Sequence, residues 1–140
     1  MIQKFRAWDT TNKEMFKDTF AITESGQVVV VDQSSVFVSP DYVFVDHLVI
    51  MQSTGIKDKN GKEIFEGDIV KRDGIKRPEV VKFGEWIDVD TLGFEEQYIG
   101  FYFESEYKGQ KRLYSVESKF NNLCKVIGNI YENQELLEVE

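Results

Sequence analysis

Cysteine and histidine are nearly missing from this chain. A single Cys, Cys124, can neither close a disulfide within the chain nor build a Cys-rich zinc site. A single His, His47, excludes any site that needs two imidazoles from one chain. Proline occurs twice against ten glycines, which suits a meander of hairpins better than domains joined by proline-rich linkers. No apolar run approaches the ~20 residues of a membrane-spanning helix. The longest, residues 42–51, is broken by Asp46 and His47. The opening Met1-Ile2-Gln3-Lys4-Phe5-Arg6 holds no apolar signal-peptide core. With one thiol, the expectation is a cytoplasmic protein with no membrane partner. Basic residues are also scarce: 17 against 25 acidic ones, a net charge of −8. That balance argues against a general nucleic-acid binder and against docking on anionic lipid.

What is present is a globular composition. The 140 residues are 41% apolar and 14% aromatic, too much hydrophobe for an unfolded acidic chain. A chain of this size buries about two-thirds of its extended surface, enough for a core without metal or disulfide staples. The dominant sequence period is two. Residues 28–31, 36–38, 69–71, 79–83, 86–89, 98–103 and 111–116 read as strands, as does one long strand over 42–51. In that long strand Val43, Val45, His47, Val49 and Met51 share a face. Pro40 suits a turn, and Asn60-Gly61 predicts a type I′ hairpin with both residues at positive φ. Residues 4–8 and 15–22 look like the arms of another hairpin. Helix signals are thin: a short turn capped by Ser118, with Ser115 the weaker cap, one turn over 133–137, and a helix start at Asp9-Thr10-Thr11-Asn12 that the hairpin reading of its flanks outweighs.

The fold expected is therefore all-β with one or two short helices: an N-terminal β meander over 1–54, then a small SH3-like barrel or half-barrel over 55–140 with an acidic tail. One continuous domain over 1–140 is the alternative.

Candidate chemistry is sparse. Gly55 and Gly61-Lys62 mimic a phosphate loop, but five residues separate the glycines and Glu63 stands where Ser or Thr is needed. Asp58, Asn60 and Gly61 mimic the middle of an EF-hand loop, but Ile56 and Gly67 occupy two ligand positions. His47 lacks a partner, since Asp46 beside it would point to the opposite strand face. Cys124, among Leu123, Val126 and Ile127, reads as a buried apolar thiol. Asp88 with Asp90, Glu95 with Glu96, and Glu104 with Glu106 are the carboxylate pairs that metal-dependent chemistry would use. Nothing brings them together in sequence, so the balance leans away from an enzyme, and no cofactor is called for.

Two clusters point to binding instead. Aromatics from Trp86 to Tyr114 are interleaved with Glu95, Glu96, Glu104 and Glu106, acids that would repel phosphates. Alternation sends about half of the rings to the core. The others, with Trp86, Tyr98, Tyr102 and Tyr107 as candidates, would face a protein partner, because Tyr and Trp are enriched at interfaces. A basic cluster, Lys71, Arg72, Lys76 and Arg77 followed by Lys82, surrounds the turn at Asp73-Gly74 and is the one candidate for nucleic-acid contact.

Three blocks in order resemble one family. They are Lys4-Phe5-Arg6-Ala7-Trp8-Asp9 with Asn12-Lys13-Glu14-Met15; the stretch from Met51-Gln52-Ser53-Thr54-Gly55-Ile56 through Asp58-Lys59-Asn60-Gly61-Lys62 to Glu66-Gly67-Asp68-Ile69-Val70; and Val126-Ile127-Gly128-Asn129-Ile130-Tyr131-Glu132-Asn133. Together they resemble the YopX family of phage and prophage proteins. The intervening residues 20–49 and 72–124 carry no motif of it. The resemblance implies a mostly β accessory protein in the cytoplasm of a bacterial host, and no catalytic or ligand-binding residue. The function expected is binding to a host or phage protein, or self-assembly as a homo-oligomer. Nucleic-acid association through residues 71–82 and a small metal-dependent enzyme are the alternatives.

Overall fold

The computed structural model describes residues 4–17, 20–32, 41–45, 47–116 and 123–138. The chain is essentially all-β and divides into two compact units, Lys4–Gln52 and a second formed mainly by Ser53–Glu140.

In the first unit, β1 (Phe5–Asp9) lies between β2 (Glu14–Phe16) and the start of β6 (Leu48–Lys57), all antiparallel. Its buried side chains include Ala7, Trp8 and Met51. A second meander joins β3 (Phe20–Ile22), β4 (Val28–Asp32) and β5 (Asp41–Val45). The single strand expected over 42–51 is in fact two, β5 and β6. The chain bends at His47, whose carbonyl accepts both the N–H and the hydroxyl of Thr10. That bend sets Leu48 opposite Asp9. The expected strand at 36–38, the turn at Pro40 and the Ser118 turn lie outside the described residues.

In the second unit, the end of β6 pairs with β7 (Glu63–Phe65). The remaining strands are β8 (Asp68–Arg72), β9 (Glu79–Val89), β10 (Glu95–Tyr107), β11 (Gln110–Ser115) and β12 (Cys124–Asn129). They form one antiparallel sheet in the order β11-β10-β9-β8-β12, which curls into a half-barrel. Its concave face packs Val70, Val81, Phe103, Cys124 and Val126 with Ile64 of β7. Arg72 and Glu79 sit on that same face as a buried, doubly bonded ion pair: Nε and Nη2 donate to the two carboxylate oxygens, the second at 3.0 Å. The guanidinium also lies over the rings of Phe103 and Tyr114 at 5.2 and 4.5 Å. A single 3₁₀ turn, Gln134–Leu137, follows β12 at the site where a helical turn is expected.

The hairpin at Asn60-Gly61 exists, but its type differs from the expectation. Gly61 has φ 81° while Asn60 is not among the residues at positive φ. Gly61 N–H donates to Asp58 C=O, and Asp58 N–H to Lys62 C=O, which is a type I turn closed by a glycine bulge. The Asp58 carboxylate selects it, accepting the N–H groups of Asn60 and Lys62 at 2.9 Å each. The same bonding recurs at residues 90–94, where Asp90 accepts from Leu92 and Phe94. It recurs again at 23–27, with the Thr23 hydroxyl accepting from Gln27.

Candidate functional site

The strands read separately at 79–83 and 86–89 are one strand, and 98–103 extends to 95–107. β9 and β10 pair continuously from Val80–Glu104 to Val89–Glu95. Their neighbours stop early. β8 pairs with β9 at Glu79 and Val80, and β11 pairs with β10 only as far as Tyr102, with one further bond from Val116 N–H to Phe101 C=O. Among the described residues, the ribbon from Phe83 to Phe101 is therefore a two-stranded arm projecting from the five-stranded sheet. Gly84 and Gly100 face each other where it departs, a pair without side chains at the point where the curled sheet opens.

Register assigns the two faces of the arm. Phe83, Glu85, Ile87 and Val89 share a face with Phe101, Ile99, Gln97 and Glu95. It continues the face that carries Val81 and Phe103, both fully buried. Burial ends abruptly. Phe83 is 47% exposed, Ile87 45%, Val89 55% and Ile99 80%. At the tip, Leu92 and Phe94 are 80% and 67% exposed. Phe83 and Phe101 meet edge to face at 4.8 Å, the last contact of the core before the bare stretch. On this face exposed apolar side chains are interleaved with Glu85, Gln97 and Glu95, and apolar exposure gathered on one sheet face is more than the scattered single residues that need no explanation.

The opposite face holds the aromatic candidates. Trp86 stacks on its cross-strand partner Tyr98 at 4.7 Å and 23°, and reaches Tyr102 at 5.8 Å. Trp86 is buried between them, and Tyr98 presents the exposed ring, its hydroxyl donating to Glu96. These three rings are thus brought together. Tyr107 closes β10 opposite Gln110, nine residues along the strand from Tyr98, at the other end of β10 from the three rings.

The basic candidates divide. Arg72 is turned inward onto Glu79 and leaves the surface set. Lys71 lies on the other face of β8, directly opposite Lys125 of β12, with Lys76 and Arg77 in the following loop. Lys82 is taken up by Glu104, which also receives Lys111, at 3.2 and 3.6 Å. A cleft of about 260 Å³ beside this network is lined by Arg77, Val80, Lys82, Glu106 and Leu137 among others.

The carboxylates do not converge. Asp88 faces Glu96 across the arm, while Asp90 is occupied in its own turn. Among the described residues no three His, Cys, Asp or Glu side chains are grouped to hold a metal ion. His47 does meet a carboxylate, that of Asp9 at 3.6 Å, which sequence proximity to Asp46 could not suggest. The N–H of Asn12 is the main influence holding the Asp9 carboxyl below its ordinary value; burial opposes it, and the Asn12 side chain and Thr11 N–H reinforce it. Burial pushes the Cys124 thiol up, reinforced by the negative charge of Asp58.

The three blocks that carry the family resemblance share a structural task. Asp9 caps the turn after β1. Asp58 caps the β6–β7 turn, and its second oxygen accepts Val126 N–H. Asp68 accepts Phe65 N–H, and Asn129 accepts from Tyr131 and Glu132. Residues 4–138 match the family described as YopX protein. The chain belongs to the YopX family. No curated protein matches it. The crystal structure of protein EF1440 from Enterococcus faecalis is similar over 98% of this chain and 99% of that one, with 29% identity and a TM-score of 0.49. Among the described residues no helix is long and apolar enough to cross a membrane. The three blocks hold turns in place, and the β9–β10 arm lies between the second and third of them, within the matched residues.

Proposed function

We propose that this YopX protein is a phage- or prophage-encoded accessory protein of the host cytoplasm that acts, without catalysis, by binding another protein through the β9–β10 arm. One observation carries the reading: the core-side face of the arm runs from fully buried Val81 and Phe103 to bare Ile87, Val89 and Ile99 within a few residues. A two-stranded ribbon is marginal in water on its own, and a partner covering this face would complete its burial. Self-assembly would cover the same face with a second copy.

A second reading has its own support. Lys71 and Lys125 stand side by side, an arrangement of like charges that costs stability unless an anion lies over it. Nucleic acid contacting Lys71, Lys76 and Arg77 would supply one. A photo-crosslinking residue placed at Ile99 or at Lys76 in infected cells separates the two. The arm reading expects a discrete protein adduct from Ile99 and none from Lys76. Nucleic-acid adducts from Lys76 with none from Ile99 would overturn it.

A further inference from the structure

Resting on that reading, we propose that the partner adds an extended, Lys- or Arg-bearing segment as a new strand along the open edge of β9, from Phe83 to Val89. The backbone orientation follows from two hydrogen bonds. Val81 C=O accepts Gly67 N–H at 2.8 Å, so the backbone groups of Val81 turn away from β10. Strand alternation carries that orientation to Phe83, Glu85, Ile87 and Val89, because the β9–β10 register continues without a shift. Phe101, opposite Phe83, agrees: its C=O accepts Val116 N–H on the far side of β10 at 3.2 Å. Four residues of β9 thus offer outward N–H and C=O groups that no described strand takes up. The same four residues place Phe83, Ile87 and Val89 on the bare face. A strand laid on this edge would gain main-chain hydrogen bonds and, with its alternate side chains, apolar cover in one register, which is how strand addition combines affinity with specificity.

Charge selects the occupant. Residues 83–101 contain Glu85, Asp88, Asp90, Glu95 and Glu96 and no Lys or Arg, a net −5. Two such arms brought edge to edge would set five negative charges against five. Natural sheets protect open edges against self-pairing with charge. Here the charge is of one sign, so it repels a second copy while admitting a cationic strand. The occupant is accordingly a different polypeptide with apolar residues alternating with Lys or Arg.

The test uses the full chain with a short peptide alternating Lys with Val and Ile. Its controls are the same peptide with Glu for Lys, and a Lys peptide of the same composition with the apolar residues blocked at one end. Binding is read by fluorescence anisotropy and by amide exchange along β9. The expected result is saturable binding of the alternating Lys peptide, at least tenfold tighter than either control, with the amides of Phe83, Glu85, Ile87 and Val89 protected. Ile87→Pro removes one outward N–H while leaving the β9–β10 ladder its bonds, and is expected to lose that binding at least tenfold. Equal binding of all three peptides, protection elsewhere, or undiminished binding to Ile87→Pro would overturn the strand-addition mode. The broader arm reading would survive such a result if Ile99 still crosslinks a protein. Dimerisation of the free chain through the arm would overturn the choice of occupant.

Discussion

One carboxylate oxygen of Asp58 accepts the backbone N–H of Val126, 68 residues away, at 2.9 Å, while the other closes the hairpin at Asn60 and Lys62. A local turn cap is therefore also the fastening between the β6–β7 hairpin and β12. Replacing Asp58 with Ala strands three N–H groups, one of them buried. The expected cost is about 2–4 kcal/mol by urea unfolding, from the loss of charge-assisted bonds.

The pH dependence follows from the same contacts. Burial disfavours the charged form of Asp58, but the N–H groups of Val126, Lys62 and Asn60 outweigh it and leave the pKa below its ordinary 3.8. A carboxyl held lower in the folded chain contributes stability above its unfolded pKa. That contribution begins to fade as pH falls toward 3.8 and is gone below the folded value. Asp9 acts in the same direction. Unfolding free energy measured between pH 6 and pH 2 is expected to fall less steeply for Asp58→Asn than for the unaltered chain. Parallel slopes would contradict the assignment.

Arg72 and Glu79 form the buried pair on the concave face. Breaking it from one side, with Arg72→Met or Glu79→Gln, leaves a polar group without its partner and costs about 3–5 kcal/mol. Replacing both with apolar residues is expected to recover most of that loss. A double-mutant cycle by chemical denaturation checks this.

Gly128 is fixed by space. A Cβ there would lie 2.5 Å from Asn133 Oδ1 and 2.8 Å from Asn133 Cβ. Gly128→Ala must displace the loop that Asn129 and Asn133 cap, with an expected cost of about 1–3 kcal/mol. The double variant with Asn133→Gly is expected to be less destabilised than Gly128→Ala alone, as thermal unfolding would reveal.

Particular residues show how far sequence reading reaches. The β pattern, the Asn60-Gly61 hairpin and the terminal turn were legible because period-two alternation and turn chemistry are local. The hairpin type was not, because Asp58's side chain, rather than Asn60-Gly61 alone, decides it. The break at His47 was hidden because it depends on Thr10, 37 residues earlier. Arg72 looked like part of a basic surface; only the pairing of β8 with β9 brings Glu79 to it. The aromatic and acidic character of residues 86–107 was plain. What the sequence could not reveal is where cover ends: Val81 and Val89 are the same residue type on the same face, one buried and one bare, because β8 pairs with β9 only up to Val80 and Gly67 reaches no further than Val81.

The central claim is that the bare face of the arm binds a protein. Quantitative affinity capture from infected cells with the unaltered chain and with Ile87→Ser/Ile99→Ser tests it most directly. Ile99 is largely exposed and Ile87 nearly half exposed, so the double variant is expected to unfold within ~1 kcal/mol of the parent. The account predicts one specific protein captured by the parent and depleted at least tenfold with the variant. Equal capture by the two chains, with folding unchanged, would contradict it.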